Sequence, residues 1–342
     1  MPLSLEVHKF KYPYRFALEL GGELPQFELA YTTHGQPNAD QSNVLWVCHA
    51  LTGNADPTEW WNGLIGAGQY YDPKDWFIVC VNVLGSHYGS TNALTLNPQT
   101  GKPYYHDFPE LTIRDTIHAF DLLREELGIN QIHTLIGGSL GGQQALEWAI
   151  LRPRLIQNLV LIASNAIHSP WGIAFNESQR MAIKADPTWA EHRPDAGIEG
   201  MKVARSIALL SYRNYDTYDF TQARDSNEQT ENFRAATYQQ YQGDKLAQRF
   251  NAFSYWTLSR MMDLHNVGRN RPSVINALEQ VRARTLVIGI SSDILFQPRE
   301  QKFMAKYIPN ADYQEIDSLY GHDGFLIEYK PLRQILTAWE WR

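Results

Sequence analysis

The feature that most constrains this chain is the pentapeptide Gly137-Gly138-Ser139-Leu140-Gly141, set between two runs of different periodicity. Before it, Gln131–Gly137 reads as an apolar strand; after it, Leu140–Leu151 reads as a helix that stops ahead of Pro153. Gly and Ser are common loop residues, so the five letters alone fit an ordinary glycine-rich connection. Between a strand and a helix, G-x-S-x-G describes a sharp turn that lifts a serine off the end of a sheet, with small neighbours letting strand and helix approach closely. That placement calls for a sheet with helices packed on it.

The remainder of the chain supplies such a sheet. Phe16–Leu20 and Gln26–Thr32 read as a hairpin-type opening across a turn beginning Gly21-Gly22, followed by buried strands at Asn43–Ala50 and Trp76–Asn82. Apolar residues at Ile113, Ile117, Phe120, Leu123 and Leu127 mark one face of a helix, with Thr112 and Asp115 as a capping box and Gly128 as its stop. Gln157–Ala163 returns as a strand, then Arg284–Ile290 and Tyr313–Ile316. Strands alternating with helices imply right-handed βαβ units and a mostly parallel sheet flanked by helices. Between Ser169 and Arg282 no strand is convincing, and Glu199–Tyr212 and Gln239–Met262 read as helical. The expected organisation is an α/β core made of residues 1–168 and 283–342, with a helical cap, residues 169–282, inserted into it.

A serine hydroxyl needs a base to take its proton, and that base needs a partner to fix its tautomer. On a G-x-S-x-G sheet the three follow in the order Ser, acid, His, which is the order of the α/β-hydrolase fold. Asp293 lies just past the strand Arg284–Ile290, in Ser291-Ser292-Asp293, at the carboxyl end of the sheet where such sites are built. His322 follows Tyr313–Ile316 in Tyr320-Gly321-His322-Asp323-Gly324, the one histidine of eleven in a glycine-flanked loop after a late core strand. Asp312 precedes that strand and sits at the wrong end; Asp317 shares the histidine's loop and is the better rival, although a turn-forming role suits it too. The expected nucleophile, acid and base are thus Ser139, Asp293 and His322. For the oxyanion hole the expected donors are the backbone N–H groups of Leu140 and Leu51, the latter in His49-Ala50-Leu51-Thr52-Gly53-Asn54 after an early strand.

Other chemistries find no support. There is no H-E-x-x-H, Cys-x-x-Cys or phosphate-cradling G-x-x-x-x-G-K-[ST], so no metal is expected. A net charge of -7 over 342 residues gives no reason to expect a nucleic-acid or anionic-membrane partner, and ten tryptophans without a basic stripe serve packing. No run approaches the roughly 20 apolar residues of a membrane helix, and Met1–Gly22 has no apolar leader core. Cys48 and Cys80 are too few for a disulfide framework and sit in apolar runs, so a reducing, cytoplasmic setting is expected.

Longer strings resemble one family, the homoserine O-acetyltransferases. They are His49–Ala55, Gly85-Ser86-His87-Tyr88-Gly89-Ser90-Thr91, Asn97–Tyr104, Phe108-Pro109 with Thr112–Asp115, Gly137–Gln143, Ser291–Asp293 and Gly321–Asp323; in the cap, Ala204-Arg205 and Leu210-Ser211-Tyr212-Arg213 continue the likeness. The resemblance implies the same triad and oxyanion donors and adds Arg205, Tyr212 and Asp323 as contacts to the amino-acid substrate. By residue type alone, Arg205 reads equally as a helix charge, Tyr212 as packing and Asp323 as a turn former. It further implies no bound cofactor, acetyl-CoA as co-substrate, L-homoserine as acceptor in methionine biosynthesis, ping-pong transfer, and a homodimer through the cap. After Thr91 the family usually continues Gly-Pro, whereas this chain has Asn92-Ala93-Leu94-Thr95 in a loop expected near the pocket mouth. Succinyl-CoA as donor and serine as acceptor therefore stay open. A serine ester hydrolase with the same triad, and a non-catalytic binder on the same fold, are the rival readings.

Overall fold

The computed structural model describes residues 6–340, so residues 1–5 and 341–342 of the expected core lie outside the described residues. Ten strands are formed: β1 His8–Tyr12, β2 Phe16–Ala17, β3 Glu23–Leu24, β4 Phe27–His34, β5 Val44–Cys48, β6 Phe77–Val81, β7 Ile132–Gly138, β8 Ile156–Ile162, β9 Arg284–Ile290 and β10 Ala311–Ile316. The helices are α1 Pro57–Trp60, α2 Ile113–Glu126, α3 Leu140–Leu151, α4 Pro170–Lys184, α5 Ile198–Tyr212, α6 Tyr215–Thr221, α7 Arg234–Ala247, α8 Ala252–Asp263, α9 Val274–Leu278, α10 Pro298–Tyr307, α11 Gly324–Ile327 and α12 Tyr329–Glu340.

Eight strands form one sheet in the order β1-β4-β6-β5-β7-β8-β9-β10. The pairs β1/β4 and β4/β6 are antiparallel, and every later pair is parallel. The central strands are buried on both faces, as a parallel sheet covered by helices requires. Period-2 alternation divides β5 between two cores: Val44, Trp46 and Cys48 join one side, and Leu45 and Val47 the other. On the first side Trp46 meets Trp148 of α3 edge-to-face at 4.8 Å, and Phe120 of α2 closes over both. The chain steps from β5 outward to β6, then crosses back to β7 on the other flank. The carboxyl ends of β5 and β7 therefore flank the switch point of the sheet, where a crevice opens in such folds.

The capping box on α2 is formed: Thr112 Oγ1 accepts from Asp115 N–H at 3.2 Å, and Asp115 Oδ2 accepts from Thr112 N–H at 2.8 Å. Three local expectations are corrected. The hairpin across Gly21-Gly22 joins only Phe16–Ala17 to Glu23–Leu24, while the long strand β4 pairs with β1. β1 alternates charged and aromatic residues, and Lys9 and Lys11 both pair with Glu28 of β4, an edge-strand pattern without an apolar run. Gln239–Met262 is not one helix: α7 ends at Ala247 and α8 starts afresh under Asn251, whose side chain accepts from Ser254 N–H at 2.8 Å. Asp312 lies within β10, at its amino end, and accepts from Trp339 Nε1 at 2.8 Å.

Between β8 and β9 the described chain is helical apart from loops, with α4 beginning at Pro170 under Ser169. Among the described residues, no helix is long and apolar enough to cross a membrane and no cluster of three or more His, Cys, Asp or Glu could hold a metal.

Candidate active site

Ser139 is the residue between β7 and α3 and adopts φ 56°, ψ -126°, a region that residues with a side chain rarely occupy. Such a conformation costs of order 1–3 kcal/mol and persists only where its surroundings over-determine it. Here its N–H donates to Ile162 O at 3.0 Å, and its carbonyl accepts from Gly142 N–H, Gln143 N–H and Ser164 Oγ at 3.0, 3.2 and 2.9 Å. Close approach is what the flanking glycines permit. A Cβ on Gly141 would lie 2.1 Å from Cys48 O, so α3 starts against the end of β5 only because position 141 has no side chain.

That contact sets the loop expected to carry an oxyanion donor beside the serine. Cys48 pairs with Gly137, which brings His49-Ala50-Leu51 alongside Gly138-Ser139-Leu140. Leu140 is the first residue of α3, where an N–H has no intrahelical acceptor. Leu51 is the first central residue of a turn closed by Gly53 N–H on Ala50 O at 2.9 Å. Gln144 spans both, donating to His49 O and to Leu140 O at 3.1 Å each.

The other two expected members meet directly. His322 Nδ1 lies 2.7 Å from Asp293 Oδ2, both side chains almost wholly buried. Asp293 Oδ1 accepts from Leu295 N–H and Phe296 N–H at 2.8 and 2.9 Å, so the carboxylate is held at both oxygens. The imidazole stacks on Phe296 at 4.9 Å and leans on Phe325 at 5.3 Å. Phe325 also covers position 138, where a Cβ would meet its ring at 2.5 Å, so one aromatic packs against both the serine turn and the histidine. Ser292 ties the two late loops, donating to Ser318 O at 2.5 Å and accepting from Gly321 N–H at 3.0 Å. The rival Asp317 is occupied elsewhere: its carboxylate accepts from Ser291 Oγ at 2.9 Å on an exposed edge.

The histidine loop docks on the cap. Gly321 has φ 61°, and a Cβ there would meet Tyr212 O and Arg213 C at 2.9 Å. The single 3₁₀ turn Gly321–Asp323 thus abuts the carboxyl end of α5, which carries Arg205 and Tyr212. The Arg205 guanidinium lies over the Tyr212 ring at 5.3 Å, and that ring stands 5.9 Å from the His322 imidazole. Burial pushes the Tyr212 hydroxyl above its usual pKa, so it stays protonated. Asp323 is paired with Arg213, Nη2 to Oδ2 at 3.2 Å.

The sequence reading missed Arg213, although it stands in a quoted string; nothing in its spacing separates it from Arg205. It also missed Phe296, the floor under the imidazole, and Glu300 of α10. Burial, with the nearby Asp293 charge, pushes the Glu300 carboxyl up to about 7, and Asn165 Nδ2 donates to it at 3.3 Å. Asn92 proves structural, donating to Ser86 O and Ser90 O at 3.1 and 2.8 Å. Its neighbour Ala93 lines a cavity of about 210 Å³ with Tyr105, Trp189, Phe253 and Trp256, a lining that includes none of Ser139, Asp293 and His322.

The alpha/beta hydrolase fold family matches residues 43–329. A homoserine O-acetyltransferase of Cyclobacterium marinum is 51% identical over 322 residues, covering 94% of this chain and 92% of the relative. The crystal structure of a homoserine O-acetyltransferase from Bacillus anthracis superposes with a TM-score of 0.88 at 23% identity, covering 96% of this chain and 97% of that one. Esterase E22 superposes almost as well, TM-score 0.86 at 21% identity, over 97% and 100% of the two chains. The backbone thus accommodates both transferases and esterases, and the sequence relationship discriminates where the fold does not. By that relationship the chain belongs to the homoserine O-acetyltransferase family of α/β-hydrolase-fold enzymes.

Proposed function

We propose that this protein transfers an acetyl group from acetyl-CoA to the side-chain hydroxyl of L-homoserine through an acyl-enzyme on Ser139, a step of methionine biosynthesis. The chemistry is supported chiefly by one observation: a buried Asp293–His322 pair at 2.7 Å, packed through Phe325 against a serine held in a forced turn. The acceptor and the acyl group are those in the name of the relative at 51% identity.

In the first half-reaction Ser139 Oγ attacks the thioester carbonyl as His322 Nε2 takes its proton. Asp293 holds the other ring proton on Nδ1 and stabilises the imidazolium. The Leu51 and Leu140 N–H groups receive the oxyanion, a contribution for which one donor is typically worth 10²–10³ in kcat. The imidazolium returns its proton to the departing thiolate, and CoA leaves. In the second half-reaction the homoserine hydroxyl gives its proton to His322 and attacks the acyl carbon. The tetrahedral intermediate collapses by breaking the ester bond to Ser139 Oγ, which takes that proton back from the imidazolium as O-acetylhomoserine leaves. Arg205 and the Tyr212 hydroxyl, which stays protonated and can donate, suit the α-carboxylate, and Asp323 suits the α-ammonium. With both ends fixed the hydroxyl, rather than water, is presented to the ester.

The reading also takes the protein as cytoplasmic and as a homodimer through the cap. Val203 and Leu210, two turns apart on one face of α5, stand exposed, as do Tyr215 and Phe220 of α6. Light scattering should give twice the chain mass and, for Leu210→Glu, the mass of one chain.

The decisive assay follows CoA release from acetyl-CoA with and without L-homoserine, with succinyl-CoA and L-serine in parallel. Release that requires homoserine and falls by about 10⁴-fold or more in Ser139→Ala is the expected result. Equal release without acceptor makes the protein a thioester hydrolase, and release only with succinyl-CoA or serine reassigns the donor or acceptor.

A further inference from the structure

His49 is wholly buried at the foot of the oxyanion loop, and its two ring nitrogens have different partners. Nε2 lies 3.0 Å from Val83 N, a backbone amide that can only donate, so Nε2 carries the lone pair. The ring's single proton is then on Nδ1, which lies 2.8 Å from Ala50 O. Burial pushes the imidazole down to about 4, so this neutral form persists across the working range. Ala50 O belongs to the same peptide unit as Leu51 N–H. No peptide among the described residues is cis, so that N–H points opposite to the carbonyl His49 holds. Gly53 N–H bonds the same oxygen at 2.9 Å, and Gln144 links His49 O to Leu140 O. Two donors on one carbonyl fix the plane of the peptide and polarise its N–H.

We propose that His49 is a positioning residue of the oxyanion hole: its Nδ1–H grips the carbonyl of the Ala50–Leu51 peptide and so aims the N–H of that peptide at the developing oxyanion. This rests on the reading of Leu51 as an oxyanion donor. His49 touches neither substrate nor nucleophile; it acts through a backbone group, the Leu51 N–H.

Two substitutions separate the ring's two bonds. His49→Gln sets an amide oxygen near the place of Nε2, keeping Val83 N–H satisfied while losing the donor to Ala50. His49→Asn sets an amide N–H near the place of Nδ1 and gives up Val83. The readout is the single-turnover burst of CoA release from acetyl-CoA, with KM measured separately. His49→Gln should slow the burst by about 10–100-fold, somewhat less than full loss of a donor, with KM within about twofold of wild type. His49→Asn should recover most of that loss. Replacing the Ala50–Leu51 amide by an ester, through the hydroxy-acid analogue of leucine at position 51, removes the N–H itself. The ester and His49→Gln should then be strongly non-additive, because both act on one group.

An unaltered burst in the ester variant overturns the assignment of Leu51 and with it this inference, leaving the Ser139 chemistry standing. A slowed ester variant whose effect simply adds to that of His49→Gln overturns the inference alone, as does a His49→Gln enzyme with a wild-type burst. Should His49→Gln not fold, His49→Asn decides: a burst as slow as the ester's refutes the donor role.

Discussion

At the scale of single residues, the proposed mechanism separates groups that make the acyl-enzyme from groups that receive homoserine, and the two sets are separable by kinetics. Arg205 lies over Tyr212, and in the proposed mechanism it acts only in the second half-reaction. Arg205→Met should therefore leave the burst of CoA release from acetyl-CoA intact and raise the KM for homoserine by roughly 10–100-fold, the worth of one charge-assisted hydrogen bond. A slowed burst would mean that Arg205 serves the donor half-reaction instead. Residue identity made much of this site legible. Ser139 is marked by its pentapeptide, and Asp293 and His322 by chain order and by the strands they follow. The environment that makes them work was not legible: Phe296 beneath the imidazole, Arg213 on Asp323 and His49 on Ala50 are contacts between distant segments, and their letters fit equally well as core or surface.

At the scale of elements, the decisive contact is the start of α3 against the end of β5. Gly141→Ala puts a methyl where Cys48 O stands, 2.1 Å away, so helix and strand must separate. A cost of about 2–4 kcal/mol is expected, read from denaturant melts, with activity falling further than stability because the two proposed oxyanion donors move apart. Unchanged melting with unchanged turnover would show that α3 relaxes freely. Boundaries of the strongly periodic elements agree with the sequence pattern to within a residue or two, as for α2, α3 and β9. The pattern failed where something other than periodicity decides. β1 is held by cross-strand charge pairs, and the break between α7 and α8 is set by a single capping asparagine, Asn251.

At the scale of the whole molecule, ionisation of a few buried groups sets how stability varies with pH. Glu300 is shifted upward from an ordinary value of 4.5 to about 7 by burial in α10, with Asp293 nearby. A raised folded-state pKa means the folded protein holds this proton more tightly than the unfolded chain. The contribution is fully present below about pH 4.5 and is lost as pH rises through 7. Glu300→Gln removes the titration and should raise the melting temperature over wild type by a few degrees more at pH 8 than at pH 5; an equal difference at both would show that Glu300 is not the group responsible. Buried ion pairs knit cap and core at this scale as well: Arg271 on the loop after α8 and Arg114 of α2 both bind Glu147 of α3 at 2.7 Å. No such long-range pairing could be read from one chain, since it depends on which loops the fold brings together.

The insertion of the cap between β8 and β9 also has a bearing on how the chain is made. Translation delivers Ser139 and β8 first, then about 120 residues of largely helical chain, and only afterwards the two strands that precede Asp293 and His322. At 5–20 residues per second, roughly 6–24 s pass during which Ile156–Ile162, an apolar strand in the finished sheet, has no neighbour on its outer side. Throughout that interval the nascent protein bears a serine without its base and an unpaired hydrophobic edge, the template on which strands of other chains add. The arrival of β9 thus closes the aggregation-prone edge and brings Asp293, while His322, which follows β10, is made only after that edge is covered.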